Sequence, residues 1–250
     1  MILLVTDFGL TGPYTGQMKA RLATRAPAVP VIDLFADAPA WDPMLSAYLL
    51  AAHAPAFPEE SVFLCVVDPG VGTGRRPVAV WADQRWYVGP DNGLFELVVR
   101  RAREVEAWEI TWQPESLSAS FHGRDLFAPV AAGLAAGEQT PPGRPAGLTR
   151  CPDWPDDLPA ITYVDGYGNA MTGLRADRLG EGTRLAAGGR TMKRARTFAD
   201  VAPGEAMWYE NANGLAEIAV NQGRAADIVG IGPGSPVEIM TPDGERGTVA

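Results

Sequence analysis

The sequence predicts an α/β N-terminal domain, its mainly parallel sheet covered by helices, followed by a smaller C-terminal β-rich domain, a barrel or a sandwich. Three observations carry that expectation. Through the first part of the chain, apolar runs ending in polar turns alternate with helix-like segments, as in a sheet with helical crossovers. From Gln139 to Pro159 the chain becomes proline-rich. Beyond it, short apolar stretches are separated by glycine and asparagine, which suits a small β-rich unit. The expected division is residues 1–140, a linker at 141–159, and residues 160–250.

Taken in order, Ile2 to Val5 reads as a buried strand ending at Asp7-Phe8-Gly9. A helix follows from Tyr14 to Thr24, with Pro27 just beyond. Val29 to Leu34 is a second strand. Asp42-Pro43 fits an N-cap with proline at the first helical position, opening a helix towards His53. Val62 to Val67 is almost wholly apolar, as expected of a strand buried on both faces. Val78 to Trp81 and Trp86 to Val88 form a hairpin around Asp83-Gln84. Two further helices are expected at Gly93 to Arg103 and Asp125 to Gly137. After the linker, strands are expected at Ile161 to Val164, Met207 to Tyr209, Leu215 to Val220 and Val237 to Met240.

The 250 residues are 46% hydrophobic and 20% charged, the composition of an ordinary globular chain. A net charge of −9 argues against a nucleic-acid backbone as the main partner. No apolar stretch is long enough to span a bilayer, so no membrane partner is expected. The N-terminal apolar run is short and lacks a basic leader, so it reads as a strand, not a signal peptide. Two cysteines, Cys65 and Cys151, make neither a disulfide scaffold nor a metal site, and the expected compartment is a reducing cytoplasm.

The chemistry-bearing residues cluster in a few turns. Val66-Val67-Asp68-Pro69-Gly70-Val71-Gly72-Thr73-Gly74-Arg75-Arg76 ends an apolar strand in an acid, three glycines and two arginines. In an open α/β sheet, ligands bind outside the carboxyl ends of the strands. The glycines match neither nucleotide-binding fingerprint and read as a tight turn. Ser120-Phe121-His122-Gly123-Arg124-Asp125 carries one of only two histidines, His53 being the other. A histidine titrates near neutral pH and can take a proton from water. Asp68, Arg75 and His122 are therefore the candidate reacting centre. Asp7, ending the first strand, is either an acid for a vicinal diol such as a ribose or a loop acid capping the next helix. Pro90-Asp91-Asn92-Gly93 is a turn by composition. Asp165-Gly166-Tyr167-Gly168-Asn169 is another, and it places an acid, a ring and an amide together.

Together these segments resemble the S-adenosyl-L-methionine (SAM) hydroxide adenosyltransferases, relatives of the SAM-dependent fluorinase and chlorinase. The resemblance runs in order through Thr6-Asp7-Phe8-Gly9, Trp41-Asp42, Val67 to Gly72 with Arg75-Arg76, Pro90 to Gly93, Phe121 to Asp125, Asp165 to Asn169, and Asn211 to Val220. It implies water attack on C5′ of SAM, giving adenosine and L-methionine, with no metal or organic cofactor. It implies an α/β N-terminal domain, a C-terminal β-barrel domain and a homotrimer with sites between subunits. Asp68, Arg75 and His122 fall on the family's water-activating triad. Asp7 falls on the ribose-diol acid and Trp41 on an aromatic wall. Asp165 matches the contact to the methionine portion, Asn169 the contact to adenine, and Asn211 the substrate-binding turn. Halogenating relatives resemble tyrosines where this chain has Asp68 and His122, and a serine where it has Gly123. Two positions depart from the family: Gly12 stands where an acid is usual, and Ala212 where a serine is usual. The competing readings are a halogenase of the same fold and a non-catalytic SAM or nucleoside sensor.

Overall fold

The computed structural model describes residues 1–242 and 245–247. The chain divides into two compact units, Met1–Cys151 and Pro152–Ala250.

The first unit contains β1 (Ile2–Thr6), α1 (Tyr14–Arg25), β2 (Val31–Phe35), α2 (Pro43–His53), β3 (Val62–Val66), β4 (Pro77–Ala82), β5 (Arg85–Pro90), α3 (Glu96–Arg101), β6 (Val105–Ile110), α4 (Ala128–Ala135) and β7 (Gly143–Pro145). The sheet order is β2-β1-β3-β5-β4-β6-β7. Pairs β1–β2, β1–β3 and β3–β5 are parallel, while β4–β5, β4–β6 and β6–β7 are antiparallel. The sheet is therefore mixed, which corrects the expectation of a mainly parallel one. The cause is the tight turn at Asp83-Gln84. Both residues have positive φ, 42° and 64°, as a two-residue hairpin whose twist matches its strands requires. That turn reverses the chain at β4, and β6 and β7 then add to β4's free side. Asp83 Oδ1 accepts the N–H groups of Arg103 and Glu104, which seats the start of β6.

Every residue of β1 and β3 is buried, and apart from Thr6 at the end of β1 both strands are apolar. On one face Ile2, Leu4, Leu64 and Val66 pack with Met18 and Leu22 of α1 and Val130 of α4. Strand alternation sends Phe63 to the other face, where it stacks on Tyr87 at 5.0 Å and meets Phe57 at 5.8 Å. Helix α2 starts as its sequence suggests: Asp42 accepts the Leu45 N–H at 2.9 Å with proline just inside. A π-turn, Gly123–Phe127, leads directly into α4, so the helix expected from Asp125 onward begins wider than an α-helix. Strand β7 lies within the stretch read as linker and pairs with β6.

The second unit contains β8 (Leu158–Val164), β9 (Ala170–Arg175), β10 (Arg184–Ala187), β11 (Arg190–Arg194), β12 (Ala206–Glu210), β13 (Leu215–Val220) and β14 (Glu238–Met240). Its sheet order is β14-β10-β11-β12-β13-β9-β8. An isolated bridge between Ala160 and Pro236 ties the two ends of that order, and the sheet curls into a half-barrel. Trp208, Leu185, Ile218, Leu174 and Ile161 fill its core. The Trp208 indole donates to the Thr183 carbonyl at 3.1 Å, so its polar tip is satisfied where its ring is buried. Among the described residues no helix is long and apolar enough to cross a membrane.

Candidate active site

Asp7 and Asp68 follow the carboxyl ends of β1 and β3, neighbouring parallel strands whose last paired residues are Thr6 and Val66. The topology thus delivers two acids to one sheet edge, where α/β folds bind ligands. Asp7 Oδ2 accepts the Trp41 N–H at 3.0 Å. Burial pushes the Asp7 carboxyl up, the N–H groups of Trp41 and of Asp7 itself oppose that, and the Asp68 charge adds to the rise. Trp41 has φ 59° and a side chain 79% exposed, so its ring stands free while its backbone holds Asp7.

Arg75 folds back over the same edge. Its Nε lies 2.9 and 3.0 Å from the two Asp68 oxygens, and its terminal nitrogen also contacts Oδ2. The side chains are only 4% and 10% exposed, so the pair is shielded from solvent. The Arg75 guanidinium lies over the Phe127 ring at 5.0 Å. The same guanidinium reaches His122 Nδ1 at 3.2 Å. Arginine can only donate, so Nδ1 accepts and the neutral imidazole carries its proton on Nε2. Burial and then the Arg75 charge lower the His122 pKa, against the opposing pull of Asp68 and Asp125.

The turn residues hold this arrangement. Asn92 Nδ2 donates to the Val67 carbonyl at 2.9 Å, and Thr73 Oγ1 donates to the Gly70 carbonyl at 2.6 Å. Arg76 pairs with Asp91, which also accepts the Thr149 N–H at 2.9 Å. The Pro90 to Gly93 turn is therefore a brace for the Asp68 loop. Gly72 has φ 76°, and a Cβ there would fall 2.5 Å from the Ala119 carbonyl oxygen. The loop thus sits directly against the segment leading to His122. Gly72→Ala is expected to displace Arg75 from His122 and lower kcat about ten- to a hundredfold. Steady-state kinetics checks this; a wild-type kcat would show that the close approach does not matter.

In the second unit, Asp165 Oδ1 accepts the N–H groups of Tyr167 and Asn169 at 2.9 and 2.8 Å. Asp165 and Asn169 line a pocket of about 650 Å³ with Tyr167, Phe198, Tyr209 and Arg224. Asn211 does not line that pocket. Its Oδ1 accepts from Asn213 and Leu215 and its Nδ2 donates to Glu217 at 2.8 Å, so the amide is turned towards its own hairpin. A larger cavity of the same unit, about 730 Å³, is lined by Arg175, Arg178 and Arg246 and holds none of the expected residues. Tyr209 and Glu217 were missed from sequence. The available signal was an acid in the middle of the apolar run Leu215 to Val220. Gly12 has φ 106° with open space around its Cβ position. The backbone there favours glycine, which accounts physically for the missing acid. Among the described residues no group of three or more His, Cys, Asp or Glu is disposed to hold a metal ion.

Each unit is also matched by known proteins. Residues 2–142 match the SAM hydroxide adenosyltransferase N-terminal domain and residues 159–238 the SAM hydroxide adenosyltransferase C-terminal domain. A Thermus thermophilus protein named (R)-S-adenosyl-L-methionine hydrolase is 40% identical, over 96% of this chain and 99% of its own. A Salinispora arenicola protein of the same name is 38% identical, over 95% and 97%. The crystal structure of an uncharacterized conserved protein from Thermotoga maritima superimposes with a TM-score of 0.86 at 30% identity, covering 96% of this chain and 99% of that one. With both domains matched in order, and an acid, an arginine and a histidine in contact at the sheet edge, this chain belongs to the SAM hydroxide adenosyltransferase family.

Proposed function

We propose that the protein is a SAM hydrolase in which Asp68, Arg75 and His122 direct a water molecule onto C5′ of the substrate. The observation that carries the reading is the contact of Arg75 with both other members. Relatives matching nearly the whole chain bear the name of this activity. Mixing the purified protein with SAM and separating the products by chromatography tests it. Adenosine and methionine in equal amounts are the expected result, and an unchanged substrate pool would overturn it.

The sulfonium is already an activated leaving group. Water oxygen bonds to C5′ from the side opposite sulfur, and the carbon–sulfur pair stays on sulfur. Methionine leaves as a neutral thioether and needs no acid. One water proton must be taken up. Arg75 cannot accept it because it stays protonated. His122 directs its free lone pair at Arg75 and carries a proton on Nε2. Asp68 is therefore the acceptor, and Nε2–H of His122 is a donor that can orient the water. Placement dominates, since well-aligned intramolecular reactions gain roughly 7–11 kcal/mol. General-base help adds about 10²–10⁴-fold.

Asp7 receives the ribose diol in this reading, and Trp41 walls it. Asp165 and Asn169 hold the methionine portion and the adenine, and Asn211 acts through Glu217, which it helps to orient. The protein is proposed to work as a cytoplasmic homotrimer, each site completed by a neighbouring subunit, with no cofactor and with SAM as the small-molecule partner. The C-terminal half-barrel is proposed to be the family's β-barrel. The division at 1–140, 141–159 and 160–250 stays a proposal; the two compact units divide between Cys151 and Pro152, within the proposed linker.

The tautomer sets a pH dependence. Protonating His122 places a hydrogen on Nδ1 facing the guanidinium, so only the neutral form fits. Its pKa lies below the ordinary value of 6.5 because of burial and Arg75. Activity is expected to be level at neutral pH and to fall tenfold per pH unit on the acid side, with its midpoint below 6.5. A kcat/KM profile with an acid midpoint above 6.5 would contradict the assignment.

A further inference from the structure

The turn that carries His122 contains an ion pair that the reaction above does not use. Asp125 lies in the π-turn leading into α4 and is 5% exposed. Arg124 meets it as a fork: Nε donates to Oδ1 at 2.7 Å and a terminal nitrogen to Oδ2 at 2.9 Å. Oδ2 also accepts the N–H of Ser118, seven residues earlier in the chain, at 3.0 Å. An acid in the first turn of a helix ordinarily serves that helix by facing its free N–H groups. This one faces Arg124 and Ser118 and closes the loop between Ser118 and itself. The Arg124 hydrogen bonds hold the carboxyl below the ordinary carboxylate range; burial opposes them, and the Ser118 N–H adds to the fall.

The arginine fastens the same loop from outside. Its remaining nitrogen donates to Gln17 Oε1 on α1 at 2.8 Å. Its guanidinium covers the Phe121 ring at 5.0 Å. That ring also meets Phe8 and Tyr14, at 5.8 and 5.5 Å. The stretch so clamped bears on the Asp68–Arg75 loop at two points. The Ala119 carbonyl lies against Gly72, and His122 Nδ1 accepts from Arg75 at 3.2 Å.

We infer that Asp125, with Arg124, is a positioning residue: the pair holds the loop from Ser118 to His122 so that the imidazole stays on the Arg75 guanidinium. The inference rests on the proposed role of His122 in directing water. Asparagine in place of Asp125 keeps the shape, but its amide nitrogen faces part of the Arg124 fork whichever way it is turned, donor against donor. The clamp opens and His122 leaves Arg75. Three charges act on the imidazole besides its burial. Arg75 lowers its pKa, while Asp68 and, least of the three, Asp125 raise it. Losing the Arg75 contact therefore moves the His122 titration up. Removing the Asp125 charge with the loop unmoved moves it down.

Two measurements on full-length Asp125→Asn test this. The first follows the His122 ring against pH by NMR. The chain has two histidines, so His122→Asn identifies the signal. The variant is expected to titrate at higher pH than the wild type. The second compares kcat with the Kd for SAM. A fall in kcat of about ten- to a hundredfold is expected, with Kd within about threefold of wild type, because placement of the water matters as C5′ is attacked. An acid that only stabilises the fold would lower Tm and leave the titration in place. An unchanged titration, or one moved down, overturns the inference whatever kcat does. If Asp125→Asn fails to fold, Arg124→Lys decides. Lysine keeps the charge and loses the planar fork. The same upward titration and loss of kcat are expected, and a wild-type titration would overturn the inference. The NMR titration needs no turnover, so absence of SAM hydrolysis would sink the proposed reaction separately.

Discussion

Asp68→Asn lowers kcat for SAM hydrolysis by about 10²–10⁴-fold and leaves the Kd for SAM within a few-fold of wild type: this is the expected result. The substitution keeps the side chain's shape and removes its charge and basicity. The work assigned to Asp68 concerns a water that becomes nucleophilic only as C5′ is attacked, so its loss registers in the transition state. Asp7 supplies the contrast. Its carboxylate is proposed to hold the ribose hydroxyls, and those contacts are complete before the reaction starts. A hydrogen bond to a charged group contributes roughly 1.5–3 kcal/mol, so Asp7→Ala is expected to weaken SAM binding about ten- to a hundredfold. Calorimetry and single-turnover kinetics on both variants separate the roles. Equal losses of affinity in the two would show that Asp68 holds substrate and does not act on water.

The second large effect is on stability. Arg75→Ala leaves the Asp68 carboxylate, 4% exposed in the wild type, without its cation. Removing one partner of a buried pair costs about 3–5 kcal/mol, because the remaining charge is unsolvated and unpaired. For a chain of this size that corresponds to a fall in Tm of roughly 6–20 °C. Asp68→Asn combined with Arg75→Ala removes the stranded charge, and the double variant is expected to be more stable than Arg75→Ala alone. Arg75→Lys restores charge without the planar fork and should fall between. Scanning calorimetry at neutral pH reads all four proteins. A wild-type Tm for Arg75→Ala at neutral pH would mean that the pair is solvated.

Much of this was legible in the chain, for reasons that differ from element to element. The β1 and β3 segments were readable because a strand buried on both faces must be apolar throughout, and each run ends in an acid. Asp42-Pro43 announced α2 through local capping chemistry, which needs no knowledge of the rest of the fold. The hairpin at Asp83-Gln84 was also readable, but its consequence for the sheet was not. Strand direction beyond β5 depends on where β6 and β7 return, and that is a property of the whole unit. Strand β11 escaped notice because its apolar content is low, Arg190–Arg194 exposing four of its five side chains; β10 has only four residues, and Thr172-Gly173 interrupts the apolar run of β9. In the candidate site, Asp68, Arg75 and His122 stood out as rare polar residues beside glycine turns. Glu217 did not, because its partners Tyr209 and Asn211 come from two other places in the sequence. Asn211 was read from its motif, and only the three-dimensional hydrogen bonding reveals that its side chain is turned inward.

The measurement that bears most directly on the central claim is the origin of the oxygen in the product's 5′-hydroxyl group. Hydrolysis is run in water enriched in the heavy oxygen isotope, with chloride and fluoride also present, and the nucleoside products are weighed by mass spectrometry. Adenosine heavier by one heavy-oxygen substitution, with no halogenated nucleoside formed at a comparable rate, is the predicted result. Adenosine of unshifted mass, or a 5′-halogenated nucleoside as the main product, would contradict a water-directing role for Asp68, Arg75 and His122.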